Sequence, residues 1–169
     1  MRYLGHLLVG ATALVLAGCS GTDKDAEGAA GAGAGAGSGI EQSSLAPNTA
    51  EYFNVVVGDR VFFETDRYDL SPEAQYVLSK QAEWLQANPT ATAVIEGHAD
   101  ERGTREYNLA LGARRAEAVR SYLVSLGVDP GRLQTVSYGK ERPVALCSDE
   151  SCWSQNRRAV TVVSGVPTS

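Results

Sequence analysis

Histidine is nearly absent from this chain. Of two, His6 lies in the first ten residues, which leaves His98 alone in the body of the sequence. No second histidine stands at metal-ligand spacing, and no serine has the neighbours of a hydrolytic triad. Cysteine is scarce too, with three in all: Cys19, Cys147 and Cys152. Basic residues are outnumbered, 15 against 20 acidic, for a net charge of −5. That balance argues against nucleic acid as a partner, since such binding depends on neutralising phosphates. Long apolar runs are missing as well. The best candidate, Leu7 to Leu16, is too short to span a bilayer comfortably. Apolar content is nonetheless ordinary at 43%, so 169 residues can pack one domain with extensions.

What is present divides into three parts. Residues 1–18 read as a secretory signal, with Arg2 as its positive start and Leu7 to Leu16 as its apolar stretch. The run Leu16-Ala17-Gly18-Cys19 resembles the lipobox of bacterial lipoproteins, which implies cleavage before Cys19 and lipidation of that residue. More than one acyl chain makes such an anchor stable. Ser20 stands where an aspartate would favour retention in the inner membrane, so the outer membrane is expected. Residues 19–49 then form the lipidated cysteine and a flexible Gly/Ala linker with core GAAGAGAGAGSG. As a coil, its roughly 30 residues reach about 30 Å on average and about 100 Å fully stretched.

Residues 50–169 form the domain. Pro47 to Asn54 predicts a short helix or turn leading in. Arg60 to Glu64 reads as a strand of β-branched and aromatic residues. Ser71-Pro72-Glu73 opens a helix whose apolar stripe is Ala74, Val77, Leu78, Gln81, Trp84 and Leu85, and Asn88-Pro89 ends it. Ala91 to Glu96 is a second strand. A second helix runs from Arg105 to Leu126 with Gly127 at its C-cap, followed by a strand at Leu133 to Tyr138. Gly139 to Gln155 is expected to be a loop, and Asn156 to Val163 the last strand. The fold expected is α/β, more narrowly an α+β two-layer sandwich: a mixed four-stranded sheet with two main helices on one face. The first two strands should run parallel, with Arg60 to Phe63 central because it is apolar throughout.

The stretch Ile95 to Arg120, IEGHADERGTREYNLALGARRAEAVR, carries the chemistry. Leu111, Arg115, Ala118, Val119, Tyr122 and Leu126 fall on one helical stripe, so Arg115 faces inward. A buried guanidinium is costly unless paired, and it matches a carboxylate with two parallel hydrogen bonds. Asp100 lies just past the end of a strand, where α/β sheets place ligands, and suits an ammonium. Two readings are open on the residues alone. Asp100 and Arg115 grip a zwitterion, or they pair with each other. His98 and Asp100 together raise a third, a hydrolase or metal site, against which a structural, hydrogen-bonded histidine is the expected role. Cys147 and Cys152, in an oxidising compartment, read as a disulfide closing a small loop, with two free thiols as the alternative.

Three segments resemble the OmpA-like peptidoglycan-binding domain family: VGDRVFFETDRYDLS, then IEGHADERGTREYNLALGARRAEAV, then VSYGKERPVA with NRRAV. Together with the lipobox, the whole layout is similar to that of the lipoproteins in this family. The resemblance implies a non-enzymatic domain that needs no cofactor or metal. It also implies a ligand, the stem peptide of peptidoglycan held through diaminopimelate. Mapped onto this chain, it assigns Asp100 and Arg115 to the ligand, with Thr65, Asp66, Asn108 and Leu111 beside them and Arg157 in the closing strand. It implies the periplasmic protein TolB and other Tol proteins as partners in envelope constriction. Cys147 and Cys152 are a departure from the family pattern.

Overall fold

The computed structural model of the protein describes residues 45–167. The expected signal, Cys19 and the Gly/Ala linker core lie outside the described residues. The chain enters through helix α1 (Ala50–Tyr52), capped by the Thr49 hydroxyl, and a π-helical turn at Phe53–Gly58. Phe53 is fully buried against the Trp84 ring, with centroids 4.8 Å apart. The Trp84 indole N–H donates to the Pro47 carbonyl at 2.7 Å and pins this lead-in to the domain.

Helix α2 (Pro72–Ala87) starts where its sequence signals place it. The Ser71 hydroxyl accepts from the Ala74 N–H at 3.2 Å, Pro72 occupies the first turn, and Asn88 closes the helix ahead of Pro89. Helix α3 (Arg105–Ser125) is capped by Thr104. At its other end the Val128 N–H donates to Leu123 O and the Gly127 N–H to Val124 O, with Gly127 in the left-handed region at φ 96°. That is the Schellman arrangement, and it makes Leu126 the cap with Gly127 just beyond it. The buried face of α3 is rotated slightly from the expected stripe. Ala116 and Leu123 are fully buried, whereas Ala118, Tyr122 and Leu126 are half-buried. A close approach sets this rotation: a Cβ on Gly97 would overlap the carbonyl oxygen of Gly112, so only hydrogen at both positions lets α3 lie against the sheet here.

The sheet comprises β1 (Arg60–Phe62), β2 (Thr92–His98), β3 (Leu133–Gly139) and β4 (Arg158–Ser164), in the order β1-β4-β2-β3. It is mixed: β2 and β3 are parallel, and β4 is antiparallel to both β1 and β2. Both long helices pack on one face, over Val61, Ala93, Ile95, Leu133 and Ala159. The strand β1, expected at the centre, is at an edge. Its burial alternates, Val61 toward the helices and Arg60 and Phe62 toward solvent, as a strand with one covered face requires. The interior places go to β4 and β2, and the Thr161 hydroxyl of β4 is buried and hydrogen-bonded to Gln81 of α2 at 2.8 Å. Because both pair antiparallel with β4, β1 and β2 do run in the same direction, but they are not neighbours.

The segment expected to be loop from Gly139 to Gln155 contains a further helix, α4 (Glu150–Asn156). Asp149 caps it by accepting from the Ser151 N–H at 2.8 Å. Asn156 and Arg157, expected in the last strand, are instead the final residue and cap of α4. A seven-residue helix has too few apolar positions to show a helical period.

Candidate functional site

Arg115 reaches the sheet from the first half of α3 and is fully buried. Three of its five N–H donors go to backbone carbonyls: Nε to Arg67 at 2.8 Å, one terminal nitrogen to His98 at 2.8 Å and the other to Glu64 at 3.1 Å. Its guanidinium also lies 5.1 Å from the Phe63 ring centroid. Burial pushes its pKa down to about 10, against the pull of nearby Asp100, so it remains a cation at neutral pH. The internal pair with Asp100 is not formed. The ion pairs of Asp100 among the described residues are with Arg102 at 2.6 Å and Arg157 at 3.4 Å.

Asp100 follows β2 and is 6% exposed. Its carboxylate also accepts from the Arg102 N–H at 3.1 Å, an Asx-type turn that bends the chain away from the sheet. Burial works to raise its pKa. The bonds from Arg102 and Arg157 outweigh it and hold the carboxyl below its ordinary value. Lys140 fixes the same loop from the far side, donating to the carbonyls of Glu101 and Gly103 at 3.2 and 2.7 Å.

Between this loop, the β1–α2 loop and the start of α3 lies a cleft of about 250 Å³. Thr65, Asp66, Asp100, Asn108, Leu111 and Arg115 all line it, so six of the seven ligand residues expected from the sequence converge. Asp66 holds a left-handed backbone conformation, φ 57°, and accepts from the Tyr107 hydroxyl. The Asn108 amide donates to Arg102 O at 2.7 Å, and Leu111, 4% exposed, supplies an apolar wall. The seventh, Arg157, stands behind Asp100. It donates to Phe63 O at 3.0 Å and to the Glu150 carboxylate. Three lining residues escaped the sequence reading: Arg102, Gly103 and Tyr107. Tyr107 stands four residues before Leu111, so the α3 period could have placed it on the same face.

His98 does not line this cleft. Its carbonyl holds Arg115, but its ring, 1% exposed, makes no hydrogen bond through either nitrogen. This corrects the expected hydrogen-bonded role. Burial first, then Arg158 and Arg142, press its pKa down to about 4, so the ring is neutral at pH 7. Cys147 and Cys152 are joined, with Cα atoms 5.6 Å apart. Among the described residues, the one grouping of potential metal ligands is these two and Asp149, and the cross-link leaves it no thiolate. A larger groove of about 570 Å³, between the lead-in and α2, shares no residue with the cleft. It is lined by Tyr52, Val57 and Trp84 with Lys80 and Glu83 as its charges.

Residues 62–158 match the OmpA family model. The peptidoglycan-associated lipoprotein of Rhizobium meliloti (strain 1021) is 57% identical over 155 residues, covering 90% of this chain and 83% of its own. That of Mesorhizobium japonicum is 61% identical over 122 residues, 72% of this chain and 73% of its own. Among solved structures, the peptidoglycan-associated lipoprotein from Burkholderia pseudomallei matches with TM-score 0.65 and 44% identity, covering 68% of this chain and 99% of that one. The C-terminal domain of Helicobacter pylori MotB shares the fold at TM-score 0.59 and 23% identity, over 63% of this chain and 84% of that one. The chain belongs to the OmpA family, with peptidoglycan-associated lipoproteins as its relatives.

Proposed function

We propose that this protein is a non-enzymatic tether that binds peptidoglycan through its cleft and the outer membrane through lipid on Cys19. The relatives' names support the peptidoglycan half of this reading, and the Leu16-Ala17-Gly18-Cys19 run supports the lipid half. Residues 1–18 serve as the signal, 19–49 as the tether and 50–169 as the binding domain. Among the described residues, no helix is long and apolar enough to cross a membrane. TolB and the other Tol proteins are the partners that the family resemblance suggests.

The observation that carries the proposal is the arrangement of charge in the cleft. Arg115 lies in its wall with two N–H donors left over from the carbonyls it holds, and Arg102 stands at the rim. Asp100 and Asp66 supply the opposite sign within the same small volume. The end of diaminopimelate not linked into the stem peptide bears an ammonium and a carboxylate on one carbon, and such a group satisfies both signs at once. Binding then desolvates charges on both sides, which gains only when each meets its complement.

Co-sedimentation with purified sacculi tests this. Asp100→Asn, which keeps the shape and one acceptor, is expected to weaken binding by about 2–5 kcal/mol. Sacculi with amidated diaminopimelate, or with lysine in its place, should bind less. No soluble fragments should be released. Undiminished sedimentation of the Asp100→Asn protein would remove the cleft from the mechanism.

A further inference from the structure

We infer that α4, tied down by the Cys147–Cys152 cross-link, is a positioning element for the cleft: Trp153 sets the place of Arg102, Glu150 that of Arg157, and the two arginines together fix the Asp100 carboxylate. This rests on the reading of the cleft as the peptidoglycan site. The Arg102 guanidinium lies over the Trp153 ring at 4.2 Å from its centroid, and the Trp153 indole N–H donates to Glu101 at 3.1 Å. Arg102 otherwise touches Thr65 and Asp100, with its side chain 39% exposed, so the aromatic face adds a restraint on a long, solvated side chain beyond those two contacts. On the other side, Glu150 forms an ion pair with Arg157, whose side chain is 4% exposed and reaches Asp100. Neither Trp153 nor Glu150 lines the cleft.

A helix of seven residues cannot hold itself together, because nucleation is unfavourable and few bonds follow it. Three ties replace that missing stability. The cross-link joins Cys147, ahead of the Asp149 cap, to Cys152 in the first turns. The Asn156 side chain, 3% exposed, clamps the incoming strand of loop by accepting from Val144 N–H at 2.8 Å and donating to Ala145 O at 2.8 Å. The Arg102–Trp153 and Arg157–Glu150 contacts form the third. Removing the cross-link frees the cap, loosens α4, and lets both arginines move away from Asp100.

The test uses the full-length chain in detergent micelles, with aspartate carboxyls labelled with carbon-13 so that Asp100 is titrated directly. The groups facing Asp100 are Arg102, Arg157 and Arg115, with Glu101 and Glu150 nearby. In Trp153→Ala and in the double variant Cys147→Ser with Cys152→Ser, the Asp100 midpoint should rise toward its ordinary value. Trp153→Phe keeps the ring under Arg102 and should titrate like the parent. Sacculus affinity should fall up to about tenfold in the first two, because loosened side chains must then be ordered on binding, and stay near the parent in the third. An Asp100 midpoint unmoved in both the alanine and the double serine variants overturns the positioning role. A midpoint that moves while the parent itself fails to bind sacculi upholds it and discards the peptidoglycan reading instead.

Discussion

The two halves of α3 face the same sheet and are held there in opposite ways. From Ala116 onward the buried residues are apolar: Ala116, Val119 and Leu123, with Leu78, Leu85 and Val128 in the same core. Each of these valines and leucines, fully buried, stabilises the fold by roughly 1.5–3 kcal/mol, and the Ala116 methyl by about 0.8 kcal/mol, without regard to direction. In the first half the buried residues include Asn108 and Arg115, and beside them lie Asp100 and Arg157. Here the contacts are directional, and each polar group depends on particular partners. The apolar half can exchange one side chain for another of similar shape. The polar half has one solution, and removing a member strands the others.

The largest break in this contrast is expected from Arg115→Ala. It removes the donors that satisfy the carbonyls of Glu64, Arg67 and His98, and it takes a cation from beside Asp100. Loss of one partner from a buried charged network costs about 3–5 kcal/mol. Urea unfolding should therefore show a lower midpoint, together with loss of sacculus binding. This differs from a purely ligand-facing arginine, whose removal would spare stability. A midpoint like the parent's would show that the first half of α3 is held by packing after all.

The same division explains what could be read from the sequence. The apolar half is written in periodicity and end signals: five of the six residues of the α2 stripe are buried, Ser71 caps that helix, and Gly127 lies one residue past the cap of α3. The charged half was legible through its motif, which placed Asp100, Arg115 and their neighbours in one cleft. It did not disclose who pairs with whom. Arg115 answers to carbonyls from a loop roughly fifty residues earlier, and Asp100 to Arg102 and Arg157, pairings that only the folded chain brings together. Strand order failed for a similar reason. Local apolar content suggested a central β1, whereas β4 lies inside because it pairs with both β1 and β2, strands far from it in the sequence. The short helix α4 leaves no period at all, and its role rests on Trp153 and Glu150 meeting side chains from distant segments.

His98 sharpens the contrast, because it is a buried polar group at the charged end whose ring has no hydrogen-bond partner. Its folded pKa is depressed from 6.5 to about 4, by burial and then by Arg158 and Arg142. Between those values the unfolded chain binds a proton that the folded chain refuses. Its share of stability is therefore full above pH 6.5 and is lost as pH falls toward 4, for a total of about 3 kcal/mol. Asp100, also depressed, gives up its share lower still, beneath its ordinary value of 3.8. His98→Phe keeps a ring of similar bulk and removes the proton. Denaturation measured from pH 7 downward should then lose most of its slope between pH 6.5 and about 5, above the range in which Glu73, Glu101 and Glu150, all held below their ordinary value of 4.5, add their own. A slope unchanged by the substitution would place the acid sensitivity elsewhere.

The smallest effect is expected in the apolar core, and it tests the claim that directionless packing is separable from the cleft. Ile95 is fully buried on the helix side of β2, three residues before His98 and five before Asp100. Ile95→Val removes one methylene without changing branching, so β2 loses packing but keeps its hydrogen bonds to β3 and β4. The cost should be about 0.5–1.5 kcal/mol. The backbone that carries Asp100 is anchored by the Ala99 N–H to Gly139 O at 2.8 Å and by Lys140, neither of which involves the lost atom. Thermal melting should therefore shift while sacculus affinity stays with the parent. A parallel fall in affinity would mean that packing strain travels along β2 into the cleft, and that the two halves of the domain are one mechanical unit.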